Sequence, residues 1–384
     1  MKPDIIVIGL GAVGSATLYQ LARQGIRALG IDRFHPPHAM GSSHGATRIT
    51  RQAIGEGDAY VPLVLRSHEI WRELEERTGA ELLNTCGALI IGSGGGRTQM
   101  HGREGFVKQT VNAAVRFAIP HEVLTPEDAM RRFPAFQLTG DELVYFEPGG
   151  GMVHPERCIA AQLQAASESG AALHLNERVL SVDQLPAGVR VVTDCGTYEA
   201  AEVVMAAGAW SPGLSGGALA GVRLHRQVLH WFAPEQPALF APGRMPVFIF
   251  AHGEGAEDSF YGFPLVPGAE ADGVKVADEH YSTALDDPEH LDRGVATQEA
   301  EALHRDHLDG RLQGLVPTPL RSAVCLYSCT PDANFVVARH PQSDRILLAS
   351  ACSGHGFKHS AALGERIALH FASSGAADFS AFAL

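Results

Sequence analysis

The chain has 384 residues, of which 45% are hydrophobic and 19% are charged, and its formal net charge is -13 at pH 7. Since single hydrophobic cores usually stop growing below this length, two domains are expected. The acidic balance argues against a nucleic-acid-binding protein. Six scattered cysteines indicate neither a disulfide framework nor a zinc site. The sequence shows neither a signal peptide nor a bilayer-spanning apolar stretch, so we expect a cytoplasmic protein with no membrane partner and no metal.

The first thirty residues have the pattern of a dinucleotide-binding unit. An apolar run over 5–8 leads into G-x-G-x-x-G at Gly9, Gly11 and Gly14, followed by a helical pattern and a second apolar run that ends in Asp32. The glycines permit a tight turn, close approach of the backbone to a pyrophosphate, and close packing of helix on strand. Asp32 can accept a hydrogen bond from a ribose hydroxyl. This order favours a nucleotide site over an incidental glycine-rich turn, but NAD and FAD share the motif.

A second glycine-rich loop near the other end of the chain favours FAD. Residues 346–349 form an apolar run that leads into "SGHG" at 353–356, and a helix is expected to begin near Phe357. N–H groups at a helix start can stabilise the negative charge of a reduced flavin, and glycine lets the backbone approach the ring. Two such loops in one chain therefore favour FAD over NAD.

Further segments follow in a characteristic order: "GSSHGATRITR", "GEGDAYVPL", "AAGAW", "FYGFP", "SAVCLYS" and "SGHGFK". With them, nearly the whole chain resembles the sarcosine oxidase and N-methyltryptophan oxidase group of amine-oxidising flavoproteins, which are related to D-amino-acid oxidase. The resemblance implies a Rossmann-like α/β flavin domain and an α+β substrate domain with a mainly antiparallel sheet. The predicted flavin domain comprises 1–83, 148–217 and 322–384, and the predicted substrate domain comprises 84–147 and 218–321.

The resemblance implies that Cys325 carries the flavin through a thioether to the 8-methyl group of its ring. A nearby cation would lower the pKa of the thiol and favour the reactive thiolate. A buried structural cysteine is the alternative, and Cys329 is interpreted as structural. The predicted cofactor-binding residues are Gly9, Gly11, Ala12, Val13, Gly14, Asp32, Arg33, Ser42, Ser43, Thr47, Arg48, Val179, Ala207, Gly208, Trp210, Cys325, Ser353, Gly354, His355, Gly356, Phe357 and Lys358.

Arg51 and Lys358 match the pair that binds the substrate carboxylate in this family. An Arg fork with a second cation suits that group, although a surface salt bridge for Arg51 and a solvated helix position for Lys358 are alternatives. Tyr261 and Tyr327 match aromatic residues at the substrate cavity, where core packing would explain either nearly as well.

Arg48 and His44 match positions beside the flavin ring, and a hydrogen-bonded core histidine is the alternative for His44. Lys275 matches a lysine at the flavin's N5 edge, where a fixed ammonium would stabilise superoxide as it forms. The alternative for Lys275 is an exposed strand lysine paired with Asp272 or Asp278. The predicted catalytic residues are Lys275, Arg48, His44 and Tyr261.

The sequence departs from the family pattern on the substrate side. The histidine found four residues after the family lysine is Glu279 here, followed by His280, and the acid after the early His-Gly pair is replaced by Ala46. "GGG" at 149–151 and "VPGAEA" near Pro267 indicate loop differences. The substrate-site histidine is therefore left unassigned, and the substrate stays open.

The resemblance implies oxidation of a secondary amino acid, such as sarcosine or N-methyltryptophan, to an imine that is hydrolysed in water. Oxygen would be reduced to hydrogen peroxide, and the protein would act as a monomer on a small amino acid. Three alternatives remain: a flavin dehydrogenase with a quinone or protein acceptor, a nucleotide-binding protein without turnover, and an NAD-linked dehydrogenase.

Overall fold

The computed structural model describes residues 2–266, 273–373 and 377–384. The predicted loop difference near Pro267 and the possible partner Asp272 lie outside these residues. The strands are β1 (Ile5–Ile8), β2 (Ala28–Asp32), β3 (Arg48–Thr50), β4 (Leu83–Thr85), β5 (Ala88–Gly92), β6 (Gln99–Met100), β7 (Arg103–Glu104), β8 (Glu122–Leu124), β9 (Leu143–Glu147), β10 (Gly151–Val153), β11 (Ala172–Leu175), β12 (Val179–Leu185), β13 (Gly188–Thr193), β14 (Thr197–Ala200), β15 (Glu202–Met205), β16 (Arg223–Pro234), β17 (Val247–Ala251), β18 (Ser259–Gly262), β19 (Val274–Asp278), β20 (Ala284–Leu285), β21 (Leu315–Cys329), β22 (Val336–His340) and β23 (Ser343–Ser350). The helices are α1 (Ala12–Arg23), α2 (Val61–Thr78), α3 (Ser93–Gly96), α4 (Phe106–Arg116), α5 (Pro126–Arg132), α6 (Pro155–Glu168), α7 (Ser211–Leu214), α8 (Thr297–Leu303) and α9 (Ser360–Ala372).

A six-stranded sheet carries the amino-terminal motif. Its order is β11-β2-β1-β15-β23-β22, and its pairs are parallel except β22 with β23. Strand β1 is buried along its whole length because both faces are covered. Ile5 and Val7 enter the core beneath α1 and α9, whereas Ile6 and Ile8 enter a second core shared with β12 to β14. The continuous apolar run in the sequence therefore reflects burial on two sides.

A close contact between α1 and α9 fixes these helices against each other. A Cβ at Gly364 would lie 2.5 Å from the Cβ of Ala16, which is shorter than side chains tolerate. The absence of a side chain at this position thus lets α9 approach the helix that follows the first glycine turn.

A nine-stranded, mainly antiparallel sheet forms the other layer. Its order is β20-β16-β19-β18-β17-β5-β9-β8, and β21 also pairs with β16. Only one of its pairs described here, β5 with β17, is parallel. Its core is rich in phenylalanine, including Phe136, Phe248 and Phe260. The predicted combination of a Rossmann-like sheet with a mainly antiparallel one is confirmed.

The domain boundaries stay a prediction. Strand β21 continues without interruption across the expected boundary between residues 321 and 322, pairing with β16 on both sides of it. No helix among the described residues combines the length and apolar character needed to cross a membrane.

Candidate active site

The carboxyl ends of β1, β2, β15 and β23 meet at one edge of the parallel sheet, which is where open α/β sheets bind ligands. A cavity of about 530 Å³, here called the large cavity, opens at this edge. The predicted cofactor residues that line it are Gly9, Gly11, Ala12, Val13, Asp32, Arg33, Ser42, Ser43, Arg48, Val179, Ala207, Gly208, Trp210, Gly354, Gly356 and Phe357. The predicted residues that do not line it are Gly14, Thr47, Cys325, Ser353, His355 and Lys358.

The three glycines of the first turn have different roles. Gly9 has φ +84, and a Cβ there would lie 2.6 Å from the carbonyl oxygen of Ala206; a Cβ at Gly14 would lie 1.7 Å from the carbonyl oxygen of Gly9. A Cβ at Gly11 would meet only the hydroxyl of Ser43, at 3.8 Å. Gly9 and Gly14 therefore permit the turn and its packing, while Gly11 keeps the backbone accessible from the cavity.

The start of α1 presents free backbone donors to the large cavity. Its N-cap is Gly11, which has no side chain that could accept the first N–H groups of the helix. Unpaired N–H groups at a helix start bind phosphate oxygens. At the end of β2, the carboxylate of Asp32 accepts the N–H groups of Leu10 (2.7 Å) and Phe34 (2.8 Å). These features and the size of the cavity fit an adenine dinucleotide such as FAD.

Glu289 contributes to the rim of the large cavity and was missed by the sequence analysis. Its carboxylate accepts the indole N–H of Trp210 (2.9 Å) and pairs with the guanidinium of Arg33 (3.2 Å). No local pattern marks it, because it comes from a short helical turn more than 70 residues after Trp210.

The half-buried Arg48 and the buried Lys275 lie beside the loop that follows Ser42. Arg48 donates to the carbonyl oxygens of Ser42 (2.7 Å) and Thr47 (2.8 Å). The ammonium of Lys275, whose side chain is buried, donates to those of Gly45 (2.8 Å) and Thr47 (2.6 Å). Burial, helped by Arg48, lowers the pKa of Lys275 well below its usual range.

The alternative assignment of Lys275 as an exposed strand residue is wrong. The carboxylate of Asp278 instead lies 3.2 Å from His280 and 3.5 Å from His307. Successive side chains of β19 point to opposite faces, so Asp278 shares its side of the strand with Val276, not with Lys275.

His44 is buried and lines neither cavity. Burial, followed by the charge of Arg48, lowers its pKa to about 4, so the imidazole is neutral at neutral pH. Its Nε2 has no hydrogen-bond partner among the described residues. At this atom His44 is therefore not the hydrogen-bonded core histidine of the alternative interpretation.

A carboxylate from elsewhere in the chain holds the loop around Ala46. The carboxylate of Glu156, in α6, accepts the N–H groups of Gly45 (2.6 Å) and Ala46 (3.1 Å). Ala46 has φ +68, a conformation that a non-glycine residue rarely adopts. The distant carboxylate thus supports the strained loop, and sequence reasoning missed it.

Cys325 lies in β21 with its side chain buried. Burial raises the pKa of its thiol, although Arg48 acts in the opposite direction. The predicted nearby cation is Arg48, which does lower this pKa, but desolvation of the thiolate outweighs its attraction, so the pKa of the thiol is raised overall. Cys325 forms one buried group with Tyr327 and Cys329, and the half-buried Cys352 packs against it. Tyr327 and Cys352 line the large cavity.

A second cavity, of about 60 Å³, adjoins the first and is here called the small cavity. It brings together the predicted substrate residues, and Arg48, Tyr327, Gly354 and Phe357 line both cavities. The residues that line the small cavity are Arg48, Ile49, Arg51, Glu56, Met100, His101, Ile249, Tyr261, Phe263, Glu279, Tyr327, Gly354, His355, Phe357 and Lys358.

Two cations and a carboxylate form one side of the small cavity. Arg51 is only 1% exposed and pairs with Glu56 at 2.6 Å. The Lys358 ammonium donates to the carbonyl oxygen of His355 (2.8 Å) and lies 3.7 Å from Glu56. Burial lowers the pKa of Lys358 to about 8. Although burial opposes it, Arg51 and Lys358 hold the pKa of Glu56 well below its usual range. The surface alternatives for Arg51 and Lys358 are therefore wrong.

His101 and Glu279 are further residues of the small cavity. The Nδ1 of His101 lies 3.2 Å from Glu56 and its Nε2 lies 3.2 Å from Glu279. Burial would lower the pKa of His101, but the two carboxylates outweigh it and raise the pKa to about 9. The ring is therefore an imidazolium at neutral pH, donating to both carboxylates. His101 lies in the turn between β6 and β7 with no motif around it, so no sequence signal marked it.

Comparison with known proteins places this geometry among flavoproteins. A family model described as FAD dependent oxidoreductase matches residues 4–369. A monomeric sarcosine oxidase from Streptomyces avermitilis is 39% identical over 367 residues, which cover 95% of this chain and 92% of that protein. An N-methyl-L-tryptophan oxidase from Yersinia pestis is 33% identical over 376 residues, covering 96% and 95%.

Two solved structures share the fold of this chain. NikD, described as an unusual amino acid oxidase essential for nikkomycin biosynthesis, is 25% identical with a TM-score of 0.83, covering 100% of this chain and 97% of its own. A glycine oxidase from Geobacillus kaustophilus shares the fold with a TM-score of 0.70 at 19% identity, covering 100% and 98%.

Proposed function

Because the chain belongs to the family of FAD dependent oxidoreductases, as its motifs predicted, we propose that it oxidises a secondary (N-methyl) amino acid to an imine and passes the electrons to oxygen. The imine is hydrolysed to an amino acid and formaldehyde, and oxygen leaves as hydrogen peroxide. The observation that carries this proposal is the buried pair Arg51 and Lys358 in a small cavity that adjoins the nucleotide site. The chain acts as a monomer, like the relative whose name says so.

The residues of the large cavity would hold FAD. The start of α1 beside Gly11 would bind the pyrophosphate, and Asp32 would accept a hydrogen bond from the ribose. The loop from Ser353 to Phe357 would hold the flavin end, and Cys325 would carry the flavin through a thioether. When bound, FAD supplies the two-electron acceptor for the amine.

The chain's own residues bind and orient the substrate. Lys358 and Arg51 fix the carboxylate, because a buried carboxylate is stable only beside cations and donors. Tyr261 and Tyr327 form a wall with their hydroxyls 3.4 Å apart. A cavity of about 60 Å³ holds about four to six water-sized groups, which favours a small substrate such as sarcosine over N-methyltryptophan.

Lys275 acts on oxygen in this proposal. A charge held in a buried site stabilises an opposite charge that forms beside it far more than it would in water. Although the pKa of Lys275 is low, a negative charge developing nearby favours its ammonium form. The buried lysine also supports the oxidase over a dehydrogenase that uses another acceptor.

An aerobic assay of the FAD-loaded enzyme tests this function. Sarcosine, N-methyl-L-tryptophan and pipecolate are supplied in turn, and peroxide and formaldehyde are measured. We expect equal amounts of both products from an N-methyl amino acid.

Lys275→Met should slow flavin reoxidation by about a hundredfold or more, while the rate of anaerobic flavin reduction stays within a few-fold of wild type. Lys108→Met, which changes an exposed lysine, should leave both rates unchanged. Flavin reduction without peroxide would indicate a dehydrogenase, and no reduction by any amino acid would refute the proposal.

A further inference from the structure

Besides the buried cations Arg51 and Lys358, the small cavity contains the carboxylate of Glu279. Glu279 directly follows β19, is 3% exposed, and lines the cavity together with Arg51 and Lys358. A carboxylate this deeply buried requires partners of its own. Since a free amino acid carries both an anionic and a cationic end, a cavity with groups of both signs suits it as a zwitterion.

The two carboxylates of the cavity differ in their partners. Glu56 pairs with Arg51 and approaches Lys358. Within the described residues, Glu279 pairs with neither Arg nor Lys; it accepts the hydroxyl of Tyr281 (2.8 Å), contacts His101 at 3.2 Å, and lies 3.5 Å from the Tyr327 hydroxyl. The Tyr327 contact is at the limit of a hydrogen bond, and two carboxylate oxygens have about four acceptor sites. Glu279 therefore retains room for another donor.

The two carboxylates of the small cavity are joined through one imidazole ring, and the cations lie on the Glu56 side of it. Glu279 and Glu56 contact opposite nitrogens of one imidazole ring, that of His101, and Glu56 contacts the two cations. The carboxyl carbon and the nitrogen of an α-amino acid are only two bonds apart. One such molecule, with a hydrogen bond at each end, can therefore lie within a single small cavity that holds both a carboxylate and cations.

Residues around Glu279 also adjoin the nucleotide site. A Cβ at Gly354 would lie 3.2 Å from His101, from the Tyr281 hydroxyl and from the Tyr327 ring. Gly354 and Tyr327 line both cavities. A group bound at Glu279 is thus close to the large cavity, where the reacting nitrogen of the substrate has to be.

We propose that Glu279 is a specificity-determining residue that binds the substrate as an ammonium, so that the enzyme selects zwitterionic amino acids over other small carboxylates. This inference rests on the proposed function. His101 and Tyr281 hold the carboxylate in place, and Lys358 and Arg51 bind the other end of the same molecule.

Two probes of equal size test the inference on the FAD-loaded enzyme. Sarcosine and methoxyacetate both have six non-hydrogen atoms and a carboxylate, but methoxyacetate has an ether oxygen where sarcosine has the ammonium. The Kd of sarcosine is taken from the concentration dependence of the rate of anaerobic flavin reduction, or from its spectral shift where it does not reduce the flavin, and the Kd of methoxyacetate is taken from its competition with sarcosine. Wild type is compared with Glu279→Gln, which keeps the shape, and with Asp278→Asn, which removes the neighbouring carboxylate outside the cavity.

We expect wild type to prefer sarcosine, and Glu279→Gln to lose about tenfold or more of that preference, as the loss of a charge-assisted hydrogen bond predicts. Asp278→Asn should keep the preference. The inference would be overturned if Glu279→Gln weakened the binding of both probes equally. It would also be overturned, without any variant, if wild type bound methoxyacetate as tightly as sarcosine.

The same titrations separate this inference from the proposed function. If sarcosine bleaches the flavin but Glu279→Gln leaves the preference unchanged, the proposed function holds and the inference fails. If sarcosine binds with a preference that depends on Glu279 and never bleaches the flavin, the inference holds and the proposed function fails.

Discussion

Single residues set the charge of the small cavity: the pKa of Lys358 is lowered to about 8, whereas His101 is a residue whose pKa is raised. Its pKa is about 9 in the folded protein against 6.5 as the ordinary value. A raised folded pKa means that the protonated ring stabilises the fold fully below pH 6.5, and that this contribution is lost as pH rises through 9. Glu56, Glu279 and the ring of His355, at 5.2 Å, face the imidazole.

His101→Asn should therefore lower stability most at pH 6.5 and least above pH 9. The pKa shift corresponds to a loss of at most about 3 kcal/mol in the free energy of unfolding, which lowers Tm by several degrees. The check is the difference in Tm between wild type and variant of the FAD-loaded enzyme from pH 6 to 10, beside the exposed control His290→Asn. A difference that stays constant or grows with pH would show that the two carboxylates do not hold the ring protonated.

At the scale of elements, β21 connects the antiparallel sheet to the nucleotide site. Alternate side chains of a strand share a face, so Cys325, Tyr327 and Cys329 lie on one side of β21, where they pack together with Cys352. Three thiols are thus near one another, and only one of them, that of Cys325, is proposed to carry the flavin. The raised pKa of Cys325 means that the bound cofactor has to favour the thiolate for the bond to form.

Acid precipitation distinguishes the thiols. We expect the wild-type pellet to retain yellow colour and the added mass of one flavin. Cys325→Ala should lose both, and Cys329→Ala, which changes the thiol four residues later on the same face, should keep both. Flavin in the wild-type supernatant, or its release by Cys329→Ala and not by Cys325→Ala, would contradict the proposed anchor.

At the scale of the whole molecule, what the sequence predicted correctly was local. The first glycine turn, Asp32 and the second glycine loop each lie within short segments whose spacing follows from backbone geometry. The fold class, the family and FAD were predicted from them and are confirmed. The covalent link, the domain boundaries and the roles of the site residues stay predictions.

What the sequence did not predict depends on tertiary contacts. Glu156 and Glu289 reach the cofactor region from segments far along the chain, and His101 reaches the substrate residues from a short hairpin. Burial also reversed one expectation, because the thiol of Cys325 is desolvated by a sheet that its sequence neighbours do not reveal. Motifs therefore located the chemistry but not the residues that set its charge.

The measurement that tests the account most directly is anaerobic reduction of the flavin by sarcosine in wild type and in Lys358→Met, beside N-methylethylamine, which has no carboxylate. The account predicts that sarcosine bleaches wild type, that N-methylethylamine does not, and that Lys358→Met loses about a hundredfold in reduction efficiency, since a buried carboxylate loses its ammonium partner. Equal reduction by the two amines, or unchanged reduction in Lys358→Met, would contradict the claim that the small cavity binds an amino acid by its carboxylate.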